Sequence, residues 1–211
     1  MRPHLVVADY GMGNRRSVEK ALEHAGVSAV VTAGLDVLAR ADGLVLIGVG
    51  AFAAAMERLT ETGIADVLVD RARAGIPVLG LCLGMQLLFD RSEELGGAEG
   101  LGLLEGEVRR LTPAPPTLKV PHIGWNEVRF TRPSPLLAGL GDRAAFYHVH
   151  SLAVHPAHEE DVLGIGDYGG RFPSIVARDH LFGVQFHPEK SSGAGLRLLA
   201  NFAALCARAT V

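Results

Sequence analysis

Four short apolar runs in the first half of the chain constrain its fold more than any other sequence feature. The runs cover residues 5–8, 27–31, 44–47 and 77–81. Each is short and predominantly apolar, as expected of a strand that is buried on both faces. The segments between the runs place apolar residues at helical spacing, so strand and helix alternate. This order predicts an α/β protein whose mostly parallel central sheet is covered by helices on both faces.

Helical periodicity is found in four segments. It is carried by Val18, Ala21, Leu22 and Ala25, with Gly26 as the end of the helix; by Met56, Leu59, Ile64, Val67 and Leu68, in one stretch that ends at Gly75; by Met85, Leu87, Leu88 and Phe89; and by Leu196, Leu199, Phe202, Ala203 and Leu205, in a closing helix. Glycine commonly ends a helix because it adopts the left-handed conformation without strain. These segments predict the helices that cover the sheet.

The second half of the chain contains strand-like runs with little helical periodicity. They cover residues 104–111, 125–130, 144–154, 162–168, 174–178 and 181–186. The segment 112–116 holds three prolines, each of which removes a backbone donor, so we expect an exposed loop there. No linker divides the chain, and the sequence predicts one domain over residues 1–211 with extra β-strands in its second half.

The composition excludes several classes of protein. Of 211 residues, 48% are hydrophobic and 20% are charged, which is typical of globular proteins, and the net charge of −3 gives no positive field for nucleic acid or membrane. No apolar run approaches the ~20 residues that span a bilayer, and the run at 5–8 is too short for a signal-peptide core. Two cysteines, Cys82 and Cys206, are too few for a disulfide framework. We therefore expect a cytoplasmic protein that binds neither nucleic acid nor membrane.

The segment Gly80-Leu81-Cys82-Leu83-Gly84 lies between a predicted strand and a predicted helix. It has the form of a nucleophile elbow, with cysteine in place of serine. Such a turn is sharp and crowded by neighbouring backbone, which explains its glycines. The start of a helix also favours a thiolate at Cys82. The segment predicts a catalytic cysteine, whereas Cys206, on the closing helix, is expected in the core.

The segment His187-Pro188-Glu189 offers the base that a thiol nucleophile needs. Side chains two residues apart on an extended segment point to the same side, which places the Glu189 carboxylate within reach of the His187 ring. There it would fix the tautomer of the ring and stabilise the imidazolium. The sheet edge can bring this pair beside Cys82, and the three residues are our candidate catalytic triad.

The segment Gly48-Val49-Gly50 also joins a predicted strand to a predicted helix. It lacks the third glycine of a dinucleotide motif and the Gly-Lys-Ser/Thr of a phosphate loop, which argues against nucleotide binding. Backbone N–H groups at this edge suit an oxyanion, and attack on a carbonyl needs two such donors. The N–H groups of Val49 and Leu83 are the candidates.

His148 and His150 alternate on a predicted strand and are the remaining candidates for a metal site. No cysteine or carboxylate stands at a convincing ligand spacing from them. We expect them to be strand residues near the site, without a metal.

Six segments occur in an order known from one family. They are Asp9-Tyr10-Gly11-Met12-Gly13-Asn14, Gly48-Val49-Gly50-Ala51-Phe52, Gly80-Leu81-Cys82-Leu83-Gly84-Met85-Gln86, Pro121-His122-Ile123-Gly124-Trp125-Asn126, His150-Ser151 and His187-Pro188-Glu189-Lys190-Ser191. Over nearly its full length the chain resembles the glutaminase subunits of imidazole glycerol phosphate synthases, which are class I, or triad-type, glutamine amidotransferases. The resemblance implies a flavodoxin-like class I glutamine amidotransferase fold.

The resemblance also implies a reaction and the residues that perform it. Cys82 attacks the side-chain amide of L-glutamine, His187 carries the proton to the leaving ammonia, and Glu189 orients His187. Water then hydrolyses the glutamyl thioester to glutamate. Gly50 and Gln86 match positions that hold glutamine, and no cofactor or metal is implied.

A partner is implied as well, a cyclase subunit with a (β/α)₈ barrel that forms a heterodimer with this chain. Ammonia passes into the barrel, which makes imidazole glycerol phosphate and an aminoimidazole carboxamide ribotide in histidine biosynthesis. Asn14, Trp125, Tyr147 and Lys190 match family positions at or near the interface. We expect the partner to accelerate glutamine hydrolysis through Gly48-Val49-Gly50, whose glycines permit a peptide rotation.

Two positions depart from the family pattern. Ile47 replaces the proline of the usual Pro-Gly-Val-Gly segment, which restores a backbone donor and frees φ. Leu152 replaces the tyrosine of the usual His-Ser/Thr-Tyr segment and lacks its hydroxyl. Neither position belongs to the triad.

Three other interpretations are open at the level of the sequence. One is a glutaminase of another pathway, such as the subunit of pyridoxal phosphate synthase, which predicts a sequence other than Ile123-Gly124-Trp125-Asn126. Another is a thiol sensor with an elbow cysteine on a flavodoxin-like sheet, which needs no His-x-Glu segment. The third is a regulatory scaffold that docks on the barrel without catalysis.

Overall fold

The computed structural model describes residues 3–115 and 117–209. In it, strands alternate with helices in the first half of the chain, and strands predominate in the second half. The strands are β1 (Leu5–Ala8), β2 (Ala29–Thr32), β3 (Gly43–Gly48), β4 (Val78–Cys82), β5 (Phe89–Ser92), β6 (Ala98–Glu99), β7 (Leu104–Arg110), β8 (His122–Phe130), β9 (Arg143–His150), β10 (Leu152–Pro156), β11 (Val162–Asp167), β12 (Arg171–Arg178) and β13 (Leu181–Val184). The helices are α1 (Arg15–His24), α2 (Leu35–Leu38), α3 (Phe52–Glu61), α4 (Ile64–Arg73), α5 (Leu83–Leu87) and α6 (Ser192–Ala209). Short 3₁₀ turns cover Glu94–Gly96, Pro135–Leu137, Glu159–Asp161 and Pro188–Lys190.

Within these residues a nine-stranded central sheet has the order β2-β1-β3-β4-β13-β12-β11-β8-β9, and a four-stranded second sheet has the order β10-β7-β5-β6. β1 pairs in parallel with β2 and β3, and β4 pairs in parallel with β3 and β13. The pairs from β13 across to β9 are antiparallel. The predicted α/β fold with extra strands in the second half is therefore confirmed. The central sheet is parallel only from β2 to β13, because the strands of the second half extend it in antiparallel pairs.

The strands of the first half are buried on both faces, which explains their continuous apolar sequence. On β1, Val6 and Ala8 pack into one apolar cluster, whereas Leu5 and Val7 pack into another, and all four are fully buried. The parallel part of the sheet thus separates two cores. Cys206 of α6 lies fully buried in the second of these clusters, as predicted.

Gly63 divides the helical stretch that the sequence predicts from Met56 to Gly75. α3 ends at Glu61 and α4 begins at Ile64, because Gly63 has a φ of +72°, which no continuous α-helix contains. The prediction of one helix is therefore wrong. The apolar residues on both sides of the break nevertheless face the core, and this is why the pattern resembles a single helix.

Two other elements end earlier than their sequence patterns indicate. The predicted helix that includes Phe89 stops at Leu87, and Phe89 begins β5. The run 144–154 is not one strand, because it divides at Ser151 into β9 of the central sheet and β10 of the second sheet. Both errors have the same cause: the apolar pattern continues while the chain passes from one layer to another.

The proline-rich segment 112–115 lies outside the strands and is mostly exposed, as predicted for a loop. Pro116, which belongs to the same predicted loop, lies outside the described residues. No helix in the part of the chain that the structure describes is long and apolar enough to cross a membrane.

Candidate active site

Cys82 lies at the C-terminal end of β4, at the turn into α5. Its backbone has φ +55° and ψ −111°, a conformation that residues other than glycine rarely adopt. Glycines flank the turn for a steric reason: a β-carbon on Gly80 would lie 2.5 Å from the Gly84 carbonyl oxygen, and one on Gly84 would overlap the Leu46 carbonyl. The turn between strand and helix holds the thiol at the edge of the sheet.

His187 reaches this edge because β13, the strand before it, is the parallel neighbour of β4. Its ring nitrogen Nδ1 donates a hydrogen bond to Glu189 Oε1 over 2.9 Å, and both side chains are buried. The hydrogen bond between these two side chains does not arise from the extended backbone that the sequence predicts. Residues Pro188–Lys190 form a 3₁₀ turn, which folds the carboxylate back toward the ring.

Opposing influences set the pKa of His187. Burial lowers this pKa, but hydrogen bonds to the Cys82 thiol and the Glu189 carboxylate raise it by a larger amount. The resulting pKa is about 9. The ring is therefore protonated at neutral pH. A protonated imidazole stabilises a neighbouring thiolate, which is the nucleophilic form of a cysteine side chain.

A pocket of about 360 Å³ opens over the thiol. It is lined by Val49, Gly50, Cys82, Leu83, Gln86, Glu94, Pro121, Val149, His150, Ser151, Leu152, His187 and Lys190. The candidate nucleophile, base, oxyanion donors and substrate-binding residues thus share one cavity. A larger cavity, of about 540 Å³, has neither a cysteine nor a histidine among the described residues of its wall.

The two candidate oxyanion donors flank the thiol. Leu83 is the first residue of α5, and the first N–H groups of a helix have no partner within it. Val49 follows β3, is 44% exposed and lines the pocket. Gly50 has a φ of +106°, which permits backbone orientations that other residues resist. The segment after β3 therefore combines access to the pocket with conformational freedom.

Two buried amides connect the pocket wall to the thiol. Gln86 Nε2 donates to Gln185 Oε1 over 3.0 Å, and Gln185 Nε2 faces Cys82 Sγ at 3.9 Å. Gln86 Nε2 also lies 3.4 Å from the Leu152 carbonyl oxygen. Gln185 is not among the residues predicted from the sequence, although a glutamine inside an apolar run is a signal. It is fully buried in the structure, and buried polar groups need partners.

Glu94 is a second pocket residue that is not among those predicted from the sequence. It lies on the 3₁₀ turn after β5 and lines the pocket, where its Oε2 accepts a hydrogen bond from the Phe52 N–H over 2.6 Å. No other carboxylate among the described residues lines this pocket. No motif or periodicity marks the position, because only the path of the loop brings it to the site.

Three buried histidines lie together beside the pocket. His122 Nδ1 donates to His150 Nε2 over 3.1 Å, and His150 Nδ1 donates to the Leu152 carbonyl over 2.7 Å. His148 Nε2 accepts a hydrogen bond from the Ser174 hydroxyl over 2.8 Å. Burial lowers the pKa of all three, to about 3 for His148 and about 4 for His150, so they are neutral. In the described residues, no group of three potential ligands could hold a metal ion.

Comparison with known families identifies the family of the chain. The family described as Glutamine amidotransferase class-I matches residues 6–206, a range that contains the elbow and the His187–Glu189 pair. The chain belongs to the class I glutamine amidotransferase family. Membership of this family confirms the class I glutamine amidotransferase fold that the sequence predicts.

Relatives of this class I glutamine amidotransferase share half of its residues. It is 50% identical over 198 residues to the Imidazole glycerol phosphate synthase subunit HisH of Bacillus cereus, covering 94% of this chain and 93% of the relative. It is also 50% identical over 205 residues to the subunit of the same name from Moorella thermoacetica, covering 97% and 96%. A crystal structure described as a glutamine amidotransferase has a TM-score of 0.73 at 22% identity, over 96% of this chain and 98% of that one.

In this glutamine amidotransferase, the four residues predicted to lie at the interface belong to different structural elements. Asn14 is exposed, and its Oδ1 caps α1 by accepting from the Ser17 N–H over 3.4 Å. Trp125 is 54% exposed on β8, and its ring centre lies 6.1 Å from that of Tyr147 on β9. Lys190 is exposed at the rim of the pocket. Their role at an interface stays a prediction.

The two departures from the family pattern have identifiable surroundings. Ile47 is buried and packs against the backbone of Gly13, where a β-carbon would lie 2.9 Å from Ile47 Cδ1. Leu152 presents its carbonyl oxygen to His150 and Gln86. The hydrogen bonds from His150 and Gln86 at this position therefore go to the backbone of Leu152 and not to its side chain.

Proposed function

We propose that this chain is the glutaminase subunit of an imidazole glycerol phosphate synthase, and that it hydrolyses L-glutamine to L-glutamate and ammonia. One observation carries the proposal: the Cys82 thiol, at a turn with positive φ, shares a pocket with the hydrogen-bonded His187–Glu189 pair. The relatives named as subunits of that synthase support the pathway. We take residues 1–211 as one domain, which the family match over residues 6–206 supports.

Hydrolysis begins when Cys82 Sγ, whose proton has passed to the His187 ring, attacks the carbon of the side-chain amide. The carbonyl electron pair moves to oxygen, and the N–H groups of Val49 and Leu83 stabilise the oxyanion. When the intermediate collapses, the C–N bond breaks and His187 gives its proton to nitrogen, so that ammonia leaves. A pKa of about 9 suits this step because the ring carries a proton at neutral pH. Glu189 holds the ring through Nδ1, which leaves Nε2 for the reacting groups.

A second attack releases glutamate. Once the thiol is acylated, its hydrogen bond to His187 is lost, the pKa of the ring falls, and the ring becomes a base. Water gives a proton to the ring while its oxygen attacks the thioester carbon, and breakage of the C–S bond regenerates the thiolate. Every group in this cycle belongs to the chain, so the proposed chemistry uses neither a cofactor nor a metal.

The pocket offers groups that complement glutamine. Gly50 and Gln86 line it at the positions that we propose to hold the substrate. We assign Glu94 to the α-ammonium group of glutamine, because this cation needs an anionic partner and Glu94 supplies a carboxylate in the wall. A pocket of about 360 Å³ is in the range that binds small molecules.

Ammonia then passes to a cyclase subunit with a (β/α)₈ barrel, in a heterodimer that makes imidazole glycerol phosphate and an aminoimidazole carboxamide ribotide for histidine biosynthesis. Exposed Trp125, beside Tyr147, suits a protein partner because aromatic side chains are enriched at interfaces. Asn14 and Lys190 complete the proposed contact region. We place the enzyme in the cytoplasm, where a reactive thiol stays reduced.

Glutamate production tests the proposal in three samples: the chain alone, the chain with the cyclase subunit, and that complex with a ligand in the cyclase site. We expect slow hydrolysis by the chain alone and a rise of about 10²- to 10³-fold in the full complex, the effect of one correctly aimed oxyanion donor. Equal rates in all three samples would instead favour a glutaminase of another pathway. Thiol oxidation without any glutamate would favour the sensor, and no reaction at all would favour the scaffold.

A further inference from the structure

The Tyr10 hydroxyl is a buried polar atom that the reaction described above does not use. Tyr10 follows β1, its side chain is 1% exposed, and its Oη has no hydrogen-bond partner among the described residues. Buried hydroxyls are nearly always paired, so an unpaired one needs an explanation.

This hydroxyl lies under the segment that carries the candidate oxyanion donor. A β-carbon on Gly48 would lie 2.5 Å from Tyr10 Oη and 3.1 Å from Leu83 Cβ, and Gly48 stands opposite Cys82 in the pairing of β3 with β4. Burial and, secondarily, the nearby Cys82 thiol raise the pKa of Tyr10 above its usual value, so the hydroxyl keeps its proton. Tyr10 packs in the apolar core, whereas Val49 faces the pocket, so the hydroxyl lies behind the segment.

The peptide between Gly48 and Val49 links these two sides. A trans peptide directs its N–H and its C=O in opposite directions. When the Val49 N–H turns into the pocket, the Gly48 carbonyl therefore turns away from the pocket, and a buried carbonyl needs a donor. A phenolic hydroxyl is such a donor.

We propose that Tyr10 is a positioning residue for the oxyanion hole: its hydroxyl donates to the Gly48 carbonyl when the Val49 N–H faces the oxyanion. The inference rests on the proposed glutaminase function. It explains the unpaired Oη, because the hydrogen bond forms only in the catalytic orientation of the peptide. Gly48 and Gly50 on either side of Val49 allow the rotation.

Tyr10→Phe removes the hydroxyl and keeps the ring, so it isolates this contact. In the complex with the cyclase subunit we expect kcat for glutamine hydrolysis to fall about five- to tenfold, the contribution of one neutral hydrogen bond, with KM unchanged. Thermal stability should stay equal or rise, because the variant removes an unpaired buried group. A hydroxyl with a purely structural role would give the opposite result, a lower melting temperature with kcat unchanged.

Tyr168→Phe is the matched control, since the Tyr168 hydroxyl donates to the Lys119 carbonyl over 2.9 Å, away from the pocket. It should lower the melting temperature and leave kcat unchanged. Alkylation of Cys82 by iodoacetamide forms no oxyanion, so its rate should be the same in Tyr10→Phe and wild type. An unchanged kcat in Tyr10→Phe, or alkylation that slows in parallel with kcat, would overturn the inference. Absence of glutaminase activity in the wild type would overturn the proposed function instead.

Discussion

The end of β4 and the last turn of α6 each bury one cysteine, and the two thiols have different neighbours. Cys82 is 8% exposed at a turn with positive φ, and its thiol lies beside the protonated His187 ring. Cys206 is fully buried in an apolar cluster, where burial raises the pKa of its thiol to about 12. Burial by itself therefore suppresses the reactivity of a thiol, whereas a cationic neighbour and an opening to a pocket restore it.

Exchanging sulfur for oxygen at both positions is the strongest test of this difference. Cys82→Ser should reduce glutamine hydrolysis by about 10³-fold or more, because a serine hydroxyl is a far weaker nucleophile at neutral pH. Cys206→Ser should keep the rate within about twofold and lower the free energy of unfolding by about 1–3 kcal/mol, because a hydroxyl enters an apolar cluster. Glutamate production and urea unfolding measure the two effects.

Cyclase turnover supplied with an ammonium salt is the control for folding and assembly. It should proceed at the wild-type rate in Cys82→Ser, since free ammonia needs no thiol. Glutamine-dependent turnover near the wild-type rate in Cys82→Ser would remove this thiol from the mechanism. A large loss of rate in Cys206→Ser would end the distinction between the two cysteines.

The His187–Glu189 pair distinguishes the surroundings of Cys82 from those of Cys206. Its two members should contribute unequally to the rate of glutamine hydrolysis. His187→Ala should lower glutamine hydrolysis by about 10³-fold, because it removes the group that carries the proton. Glu189→Gln should cost less, about 10- to 100-fold, because the amide oxygen keeps the hydrogen bond to Nδ1 while the charge that stabilises imidazolium is lost. Steady-state kcat values of the single variants and the double variant measure this.

Losses within a catalytic unit are not additive, so the double variant should be no slower than His187→Ala alone. A double variant whose loss equals the product of the two single losses would show that the residues act independently. An unaffected Glu189→Gln would mean that another group orients the ring.

The contrast between the two halves of the chain shows what sequence patterns predict about a fold. Continuous apolar runs mark strands that are buried on both faces, and β1, β3 and β4 lie close to the predicted bounds. The break at Gly63 escaped prediction because apolar residues continue on both sides of it. The division at Ser151 escaped for the same reason, since both β9 and β10 bury apolar side chains.

In the site, the nucleophile and its candidate base are visible in local motifs, whereas other parts of the pocket come from distant segments. The Gln86–Gln185 hydrogen bond exists because β13 pairs with β4, and nothing in either local sequence encodes that pairing. Glu94 reaches the pocket through a loop whose path depends on the second sheet, and it bonds to the first residue of α3. Contacts of this kind depend on the order of strands, which periodicity does not specify.

The smallest expected effect is a change in the pKa of the His187 ring. It tests most directly whether the neighbouring imidazolium distinguishes Cys82 from Cys206. In the wild type His187 should titrate near pH 9, above its ordinary value of 6.5. Cys82→Ala removes the hydrogen bond that raises the pKa of His187 and leaves burial, which lowers it, so the pKa should fall below 9. Cys206→Ala should leave it near 9, because that thiol lies in the apolar cluster. Spectra of ¹³C-labelled histidine recorded as a function of pH measure all three proteins, and an unchanged titration in Cys82→Ala would show that Glu189 alone holds the proton on the ring.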